Sequence, residues 1–156
     1  HEPTNLLVFG AVDDLWAQPD GTLVVVDYKA TAKDKVIDDL DPPGGWHDAY
    51  RRQMEVYQWL LRSNGFAVSD TGYFVYANGL MDEPNFNAVV KFDVHTFPYT
   101  GSSEWVEGTL VKMKECLEGE IPEVGNGPIG QGCEHCKYAR ARTEMTLHAL
   151  AKKRQS

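Results

Sequence analysis

The chain has 156 residues, of which 42% are hydrophobic and 24% charged, and its formal net charge is -8 at pH 7. This length suits one domain and is short for two, and the composition is typical of a folded globular protein rather than a disordered chain. No apolar run approaches the ~20 residues that span a bilayer, and the opening HEPTNLLVFG lacks the pattern of a secretory signal. We therefore expect a cytoplasmic protein.

The first half of the chain predicts a hairpin, a loop and a helix. Two β-rich runs, LLVFGAVDDLWAQ and LVVVDYKAT, are separated by the turn-forming stretch PDGT. Residues 33–46 are charged and then rich in Pro and Gly, which predicts a loop. Apolar residues at helical spacing then predict a helix from about His47 to Ser63, with Asn64-Gly65 as its stop.

The second half predicts two more strands and two helical stretches. TGYFVYAN and NAVVKFDV have strand character, and an amphipathic helix is expected from Ser103 to about Glu118, ending at Gly119 with Pro122 beyond. The glycine-rich residues 123–132 predict an irregular connector into a final helical stretch. The order strand, strand, helix, strand, strand, helix predicts a mixed sheet flanked by helices.

The turn of the first hairpin fixes its register. Pro19 suits the second position of a type I turn, and Gly21 can take the left-handed position that follows. Such a three-residue loop pairs Gln18 with Thr22, so the numbers of paired residues sum to 40 along the hairpin.

This register places three charged side chains on one face. Asp13 falls opposite Asp27, Lys29 projects from the same face because side chains alternate along a strand, and Asp14 projects from the other face. Adjacent carboxylates repel, and a divalent cation such as Mg²⁺ or Mn²⁺, held by two carboxylates and a backbone carbonyl, would explain them. An ordinary Asp-Lys salt bridge on a surface hairpin is the alternative interpretation.

Three motifs follow one another in the chain: Gly10-Ala-Val-Asp13, Val26-Asp-Tyr-Lys29 and Gln53-Met-Glu-Val-Tyr57. Together they resemble the G-x-x-D, D-x-K and Q-x-x-x-Y series of RecB-like nucleases of the PD-(D/E)XK superfamily. The resemblance covers roughly residues 7–63 by motif. It implies a restriction-endonuclease-like core of the α/β (α+β) class, in one domain over residues 1–156. These nucleases normally carry an upstream helical part as well, which has no counterpart in this sequence.

The resemblance also implies roles for individual residues. In these nucleases the first aspartate and the acid of D-x-K bind the catalytic metal, the intervening residue offers its carbonyl, and the lysine is catalytic. Those roles fall to Asp13, Asp27, Tyr28 and Lys29, with Mg²⁺ or Mn²⁺ as the cofactor.

The helix residues Gln53 and Tyr57 stand at i and i+4 and so share one face. The resemblance implies that they position the metal-bound region or the DNA strand, whereas without it Tyr57 would be an ordinary core residue and Gln53 a surface one. Arg51 and Arg52 are candidates for contacts with phosphate, although exposed helix arginines usually just solvate.

The implied function is Mg²⁺-dependent hydrolysis of DNA phosphodiesters, by an exonuclease of recombination, repair or phage-type DNA processing. DNA is the implied partner, and a helicase or recombination protein is a candidate second partner. The alternative is a non-catalytic module that binds nucleic acid or protein on a degenerate nuclease fold. The acidic net charge favours that alternative, because phosphate binding usually needs a basic surface.

The C-terminal segment 133–156 combines a cysteine pair with basic charge. Cys133-x-x-Cys136 has the spacing of a metal knuckle. Some RecB-like nucleases hold an iron-sulfur cluster there, but Arg142 stands at the later cysteine position. Cys116 and His135 are possible substitutes in a zinc site, although a buried thiol is the commoner explanation of a cysteine on a helix such as Cys116.

We expect neither zinc nor a cluster from this chain alone, which leaves a vestigial knuckle. Residues 137–156 hold six Lys or Arg and one acid, for a net charge of +5 against -13 in the remainder. This segment is either a phosphate contact or a solvated helix end.

Overall fold

The structure, a computed structural model, describes residues 1–34, 37, 39–82, 84–85, 87–120 and 132–155. It divides into two compact units, His1–Lys114 and Glu115–Ser156. After a short 3-10 helix, Glu2–Thr4, the elements in chain order are β1 (Asp14–Ala17), β2 (Leu23–Thr31), α1 (Asp48–Ser63), β3 (Thr71–Gly79), β4 (Phe92–Thr100), α2 (Trp105–Glu118) and α3 (Glu134–Gln155).

The four strands form one sheet in the order β1-β2-β3-β4. β2 is antiparallel to β1 and parallel to β3, and β4 is antiparallel to β3. The parallel pair needs a crossover connection, which α1 supplies. The predicted element order and the mixed sheet with helices are therefore confirmed.

The first hairpin has the predicted turn and register. The Gln18 amide donates to the Thr22 carbonyl at 2.9 Å, and Gly21 takes a φ of +85°, as the left-handed position requires. Asp14 pairs with Val26 and Ala17 with Leu23, so the paired numbers follow the expected series.

The first strand is shorter than predicted. Its β-rich run extends over residues 6–18, but the ladder holds only Asp14–Ala17. Leu7 and Phe9 are mostly exposed, and Gly10 lies against the ring of Tyr57 so closely that a Cβ there would approach Cε1 to 2.7 Å. The chain leaves the sheet because this segment passes beside α1 instead of pairing with β2.

The fourth strand lies further along the chain than predicted. NAVVKFDV covers residues 87–94, whereas β4 is Phe92–Thr100. Ala88 has a φ of +55°, a left-handed conformation that extended strands do not use. The strand runs through Pro98, and an edge position tolerates the missing amide donor.

The helix α1 covers one face of the sheet. It begins at Asp48 and ends at Ser63, with Gly65 at a φ of +86°, so the predicted bounds and stop are confirmed. The core between helix and sheet is apolar and includes a completely buried methionine. Its buried members are Val25, Ile37, Met54, Phe74, Tyr76 and Phe97.

The second unit contains the end of α2, from Glu115, and α3. Of the predicted connector, residues 123–131 lie outside the described residues, as does Pro122. Cys116 is exposed, so its interpretation as a buried thiol is wrong: the buried positions of α2 are Val106 and Leu110, nearer its start. Within the described ranges no helix is long and apolar enough to cross a membrane.

Candidate active site

The charged face of the hairpin has the predicted arrangement. The Lys29 ammonium lies 2.5 Å from Oδ2 of Asp27, so the two side chains share a face of β2. One residue beyond the ladder, Oδ2 of Asp13 accepts a hydrogen bond from the Tyr28 amide at 3.0 Å. Asp14 instead accepts from the Tyr28 hydroxyl at 2.7 Å, on the opposite face. The register thus separates Asp13 from Asp14.

Asp27 is a buried carboxylate that the described residues satisfy only in part. Its side chain is 1% exposed; the Lys29 ammonium lies 2.5 Å from Oδ2 as a charge-assisted contact, and Oδ1 has no hydrogen-bond partner among the described residues. Burial raises the pKa of Asp27 above its usual value, Lys29 opposes that effect, and the charge of Asp13 adds to it. Desolvation therefore outweighs the attraction of the lysine.

These oxygens fit a divalent cation. A buried, partly unsatisfied carboxylate beside a second carboxylate offers hard oxygen ligands, and Mg²⁺ needs only one or two carboxylates because it retains several waters. Among the residues that the structure describes, no group of three or more His, Cys, Asp or Glu side chains forms a metal site, so a site here would use two carboxylates and a carbonyl. A bound cation would supply Lewis-acid chemistry and lower the pKa of water.

The backbone of Tyr28 is oriented towards Asp13. Its amide donates to Asp13 rather than to β3, and the amide and carbonyl of one residue in an extended strand point to the same side. The Tyr28 carbonyl therefore faces the Asp13 side of β2, where the resemblance to RecB-like nucleases implies a third oxygen ligand.

Side chains of α1 hold Lys29. Its ammonium donates to Oε1 of Gln53 at 3.1 Å, and Nε2 of Gln53 donates to the Tyr57 hydroxyl at 2.9 Å. Gln53 and Tyr57 thus share the helix face that meets the hairpin, as their spacing predicts. Gly10 packs under the Tyr57 ring, which gives the glycine of the first motif a steric reason.

Three aromatic residues of this site carry no motif in the sequence that marks them as site residues: His47, Tyr50 and Tyr76. The Lys29 ammonium lies 4.5 Å from the centre of the Tyr50 ring, which stacks on the ring of His47 at 5.5 Å. Nδ1 of His47 accepts from the Asp41 amide at 2.8 Å, so Nε2 carries the hydrogen that faces the Tyr76 hydroxyl at 3.2 Å. Burial raises the pKa of Tyr76 to about 12.

The remaining candidates lie apart from this cluster or in the second unit. Arg51 forms an ion pair with Asp48 at 2.8 Å and donates to the Asp41 carbonyl, so it braces the loop before α1, while Arg52 is exposed. Cys133 and Cys136 flank the start of α3 as free thiols. Hydrogen bonds from the Cys136 amide and thiol lower the pKa of Cys133.

The mixed sheet, its crossover helix and the carboxylate-lysine hairpin define the restriction-endonuclease-like class of proteins. The model of the PD-(D/E)XK nuclease superfamily matches residues 4–141. The chain therefore belongs to that superfamily, whose members act on nucleic acid and generally depend on divalent metals. Searches of curated proteins and of solved structures return no match.

Proposed function

We propose that the protein is a RecB-like, Mg²⁺-dependent deoxyribonuclease that acts as an exonuclease in recombination, repair or phage-type DNA processing. The observation that supports the proposal is the buried Asp27 carboxylate, which lies beside Asp13 and Lys29 and whose Oδ1 has no hydrogen-bond partner among the described residues. Structural carboxylates are normally satisfied when buried, so this one is suited to a ligand from outside the chain. Mn²⁺ would serve the same donor set.

Each residue of the cluster has a role in this proposal. Asp13 and Asp27 hold the cation, together with the Tyr28 carbonyl. Lys29 orients or activates the attacking water, or neutralises charge that develops on the phosphate. Gln53 and Tyr57 position Lys29, since the three side chains form one hydrogen-bonded series.

Two substitutions test the chemistry. Lys29→Ala and Asp27→Asn should each lower Mg²⁺-dependent cleavage at least about 100-fold, the general size of losing one electrostatic contact to the transition state, while circular dichroism shows an intact fold. Asp14→Asn is the matched control, because Asp14 lies on the other face and should leave cleavage unchanged. Undiminished cleavage by either site variant contradicts the mechanism.

A comparison of substrates tests the exonuclease assignment. Degradation of linear DNA together with survival of closed circles would support it, whereas cleavage of circles would indicate an endonuclease. RNA of the same sequence, offered in the same assay, tests the preference for DNA. Chelation by EDTA should stop all cleavage, and added Mg²⁺ or Mn²⁺ should restore it.

A second candidate is a non-catalytic binding module on a degenerate nuclease fold. The net charge of -8 favours it, because electrostatic attraction to phosphate is weak for an acidic chain. This candidate requires nucleic-acid or protein binding without EDTA-sensitive degradation.

The proposal extends to the setting of the protein. We place it in the cytoplasm, with DNA as substrate and a helicase or recombination protein as a candidate partner. Residues 1–156 would form one nuclease domain, with 133–156 as a basic segment after a vestigial cysteine knuckle. The exposure of Lys137, Arg140 and Arg142 on α3 supports contact with phosphate.

A further inference from the structure

A large aromatic side chain in the loop before α1, Trp46, is left in solvent. The indole of Trp46 is 84% exposed, while the next residue, His47, is 4% exposed. An indole is the largest apolar side chain, so leaving it exposed forgoes much of the stabilisation that burial would bring. A ligand that covered the indole would recover that stabilisation.

The loop around Trp46 is well anchored. Gly45 donates to the Pro42 carbonyl at 3.0 Å, and the Gly44 amide donates to Oδ2 of Asp48 at 2.9 Å. Gly44 has a φ of +90°, which lets the chain turn sharply before the tryptophan. The structure thus presents the indole on a braced turn.

This turn stands beside the lysine of the site. His47, the neighbour of Trp46, stacks on Tyr50, and the ring of Tyr50 lies under the Lys29 ammonium. The Tyr50 ring therefore lies between His47 and the Lys29 ammonium, the group that would face the scissile phosphate. A strand bound at Lys29 would have to extend by a few nucleotides to reach the turn that carries Trp46.

We infer that Trp46 is a stacking platform for the bases of a single-stranded nucleic acid that enters the cleavage site. The inference rests on the proposed function, since it needs a phosphodiester strand at Lys29. Every base has an aromatic face that an indole can stack on, whereas paired bases in a duplex already stack on one another. A single strand or a frayed end is therefore the substrate class that this side chain selects.

The charge of the protein agrees with this mode of binding. Stacking does not depend on a basic surface, so it supplies affinity that a chain of net charge -8 obtains poorly from phosphate contacts. Arg52, exposed on the first turns of α1, adds one cation near the same turn. Arg51 is already engaged with Asp48.

A binding assay in EDTA tests the inference without cleavage. The probe is a fluorescein-labelled oligothymidylate of about 12 nucleotides, within the usual span of a single-strand site, and the comparison probe is a blunt hairpin duplex. Trp46→Leu, which removes the aromatic face, should weaken single-strand binding roughly 5- to 50-fold, while Trp46→Phe retains most of it. The Kd for the duplex should change less than about twofold, because paired bases offer no free face.

Phe66→Leu is the matched control. Phe66 is 53% exposed and follows the C-terminal end of α1, whereas Trp46 precedes its start, so the same loss of an aromatic ring there should leave the Kd unchanged. Thermal melting of each variant checks the fold, and Trp46→Gln replaces Trp46→Leu if the leucine variant melts early. Because the indole is exposed, we expect no change in Tm.

Two results overturn the inference: Trp46→Leu binds the single strand as tightly as the unsubstituted protein, or it loses single-strand and duplex binding equally. Absence of single-strand binding by the unsubstituted protein also overturns it. The proposed function fails on a different result, namely no cation-dependent cleavage of any DNA while Trp46-dependent binding persists.

Discussion

Two buried carboxylates of the first unit are treated in opposite ways. Glu55 of α1 is 8% exposed and accepts hydrogen bonds from the Tyr99 hydroxyl and the Trp105 indole, each at 2.6 Å, and from the Ser102 amide at 3.3 Å. Asp27 of β2 is 1% exposed; its Oδ2 contacts the Lys29 ammonium at 2.5 Å, and its Oδ1 has no hydrogen-bond partner among the described residues. Among the described residues, the fold therefore gives Glu55 three hydrogen-bond donors and gives Asp27 the Lys29 ammonium at one oxygen.

The difference separates a structural acid from a candidate catalytic one. The three donors to Glu55 come from β4, the loop after it and α2, so this carboxylate joins those segments to α1. Burying the Asp27 carboxylate costs free energy that the Lys29 ion pair offsets incompletely, as the raised pKa of Asp27 shows. Proteins keep such costs where function needs them.

The largest expected effect on this comparison comes from Glu55→Gln. Either orientation of the new amide places its nitrogen against a donor, the Trp105 N–H or the Ser102 amide, so the free energy of unfolding should fall by about 1–3 kcal/mol. Urea denaturation measures the change, and cleavage per folded molecule should stay the same. A loss of cleavage with unchanged stability would contradict a structural role for Glu55.

Asp27→Asn should have the opposite effect on stability. It removes a charge whose desolvation raises the pKa of Asp27, and the amide oxygen can still accept from Lys29, so the metal-free variant should be more stable at neutral pH than the unsubstituted protein. The stability that the protonated carboxyl contributes is present below its ordinary pKa and is lost as pH rises through the raised folded value. The gain should therefore vanish in acid and grow towards neutral pH, as thermal melting at a series of pH values would show.

An added divalent cation should make the unsubstituted protein more stable than the Asp27→Asn variant. At about 100 times its Kd, Mg²⁺ or Mn²⁺ would stabilise the unsubstituted protein by about 2.7 kcal/mol and the Asp27→Asn variant much less. Equal stabilisation of both proteins would mean that Asp27 is not a ligand. Because the carboxylate must be deprotonated to bind, this stabilisation should also fall as pH is lowered through the raised pKa of Asp27.

The surroundings of Asp27 could be predicted from the sequence because they depend on turn chemistry and side-chain periodicity. The Pro19-Asp20-Gly21 turn fixes the hairpin register, and the register selects Asp13 over Asp14. The spacing of Gln53 and Tyr57 on α1 likewise gives their common face. Turn chemistry and helical periodicity act over a few residues, so one sequence suffices to predict them.

Features that depend on contacts between distant segments could not be predicted in this way. The early end of β1 depends on Gly10 meeting Tyr57, and the environment of Lys29 depends on Tyr50, which helical periodicity identifies only as a core position. The hydrogen bonds of Glu55 come from residues 44 to 50 positions away. No periodic pattern in the sequence distinguishes Glu55, which has three hydrogen-bond donors, from Asp27.

The smallest expected effect tests the Lys29 ammonium beside Asp27 rather than the Asp27 carboxylate. The ring of Tyr50 lies 4.5 Å from the Lys29 ammonium, a geometry worth roughly 0.5–2 kcal/mol, so Tyr50→Leu should lower kcat about 2- to 30-fold. Tyr50→Phe keeps the aromatic face and should restore most of the rate, which a role of the hydroxyl would not allow. Stabilisation by Mn²⁺ should be the same in both variants, because Tyr50 offers the cation no ligand. If Leu and Phe lower kcat equally, the ring does not hold Lys29, and the lysine depends on Gln53 and Asp27 alone.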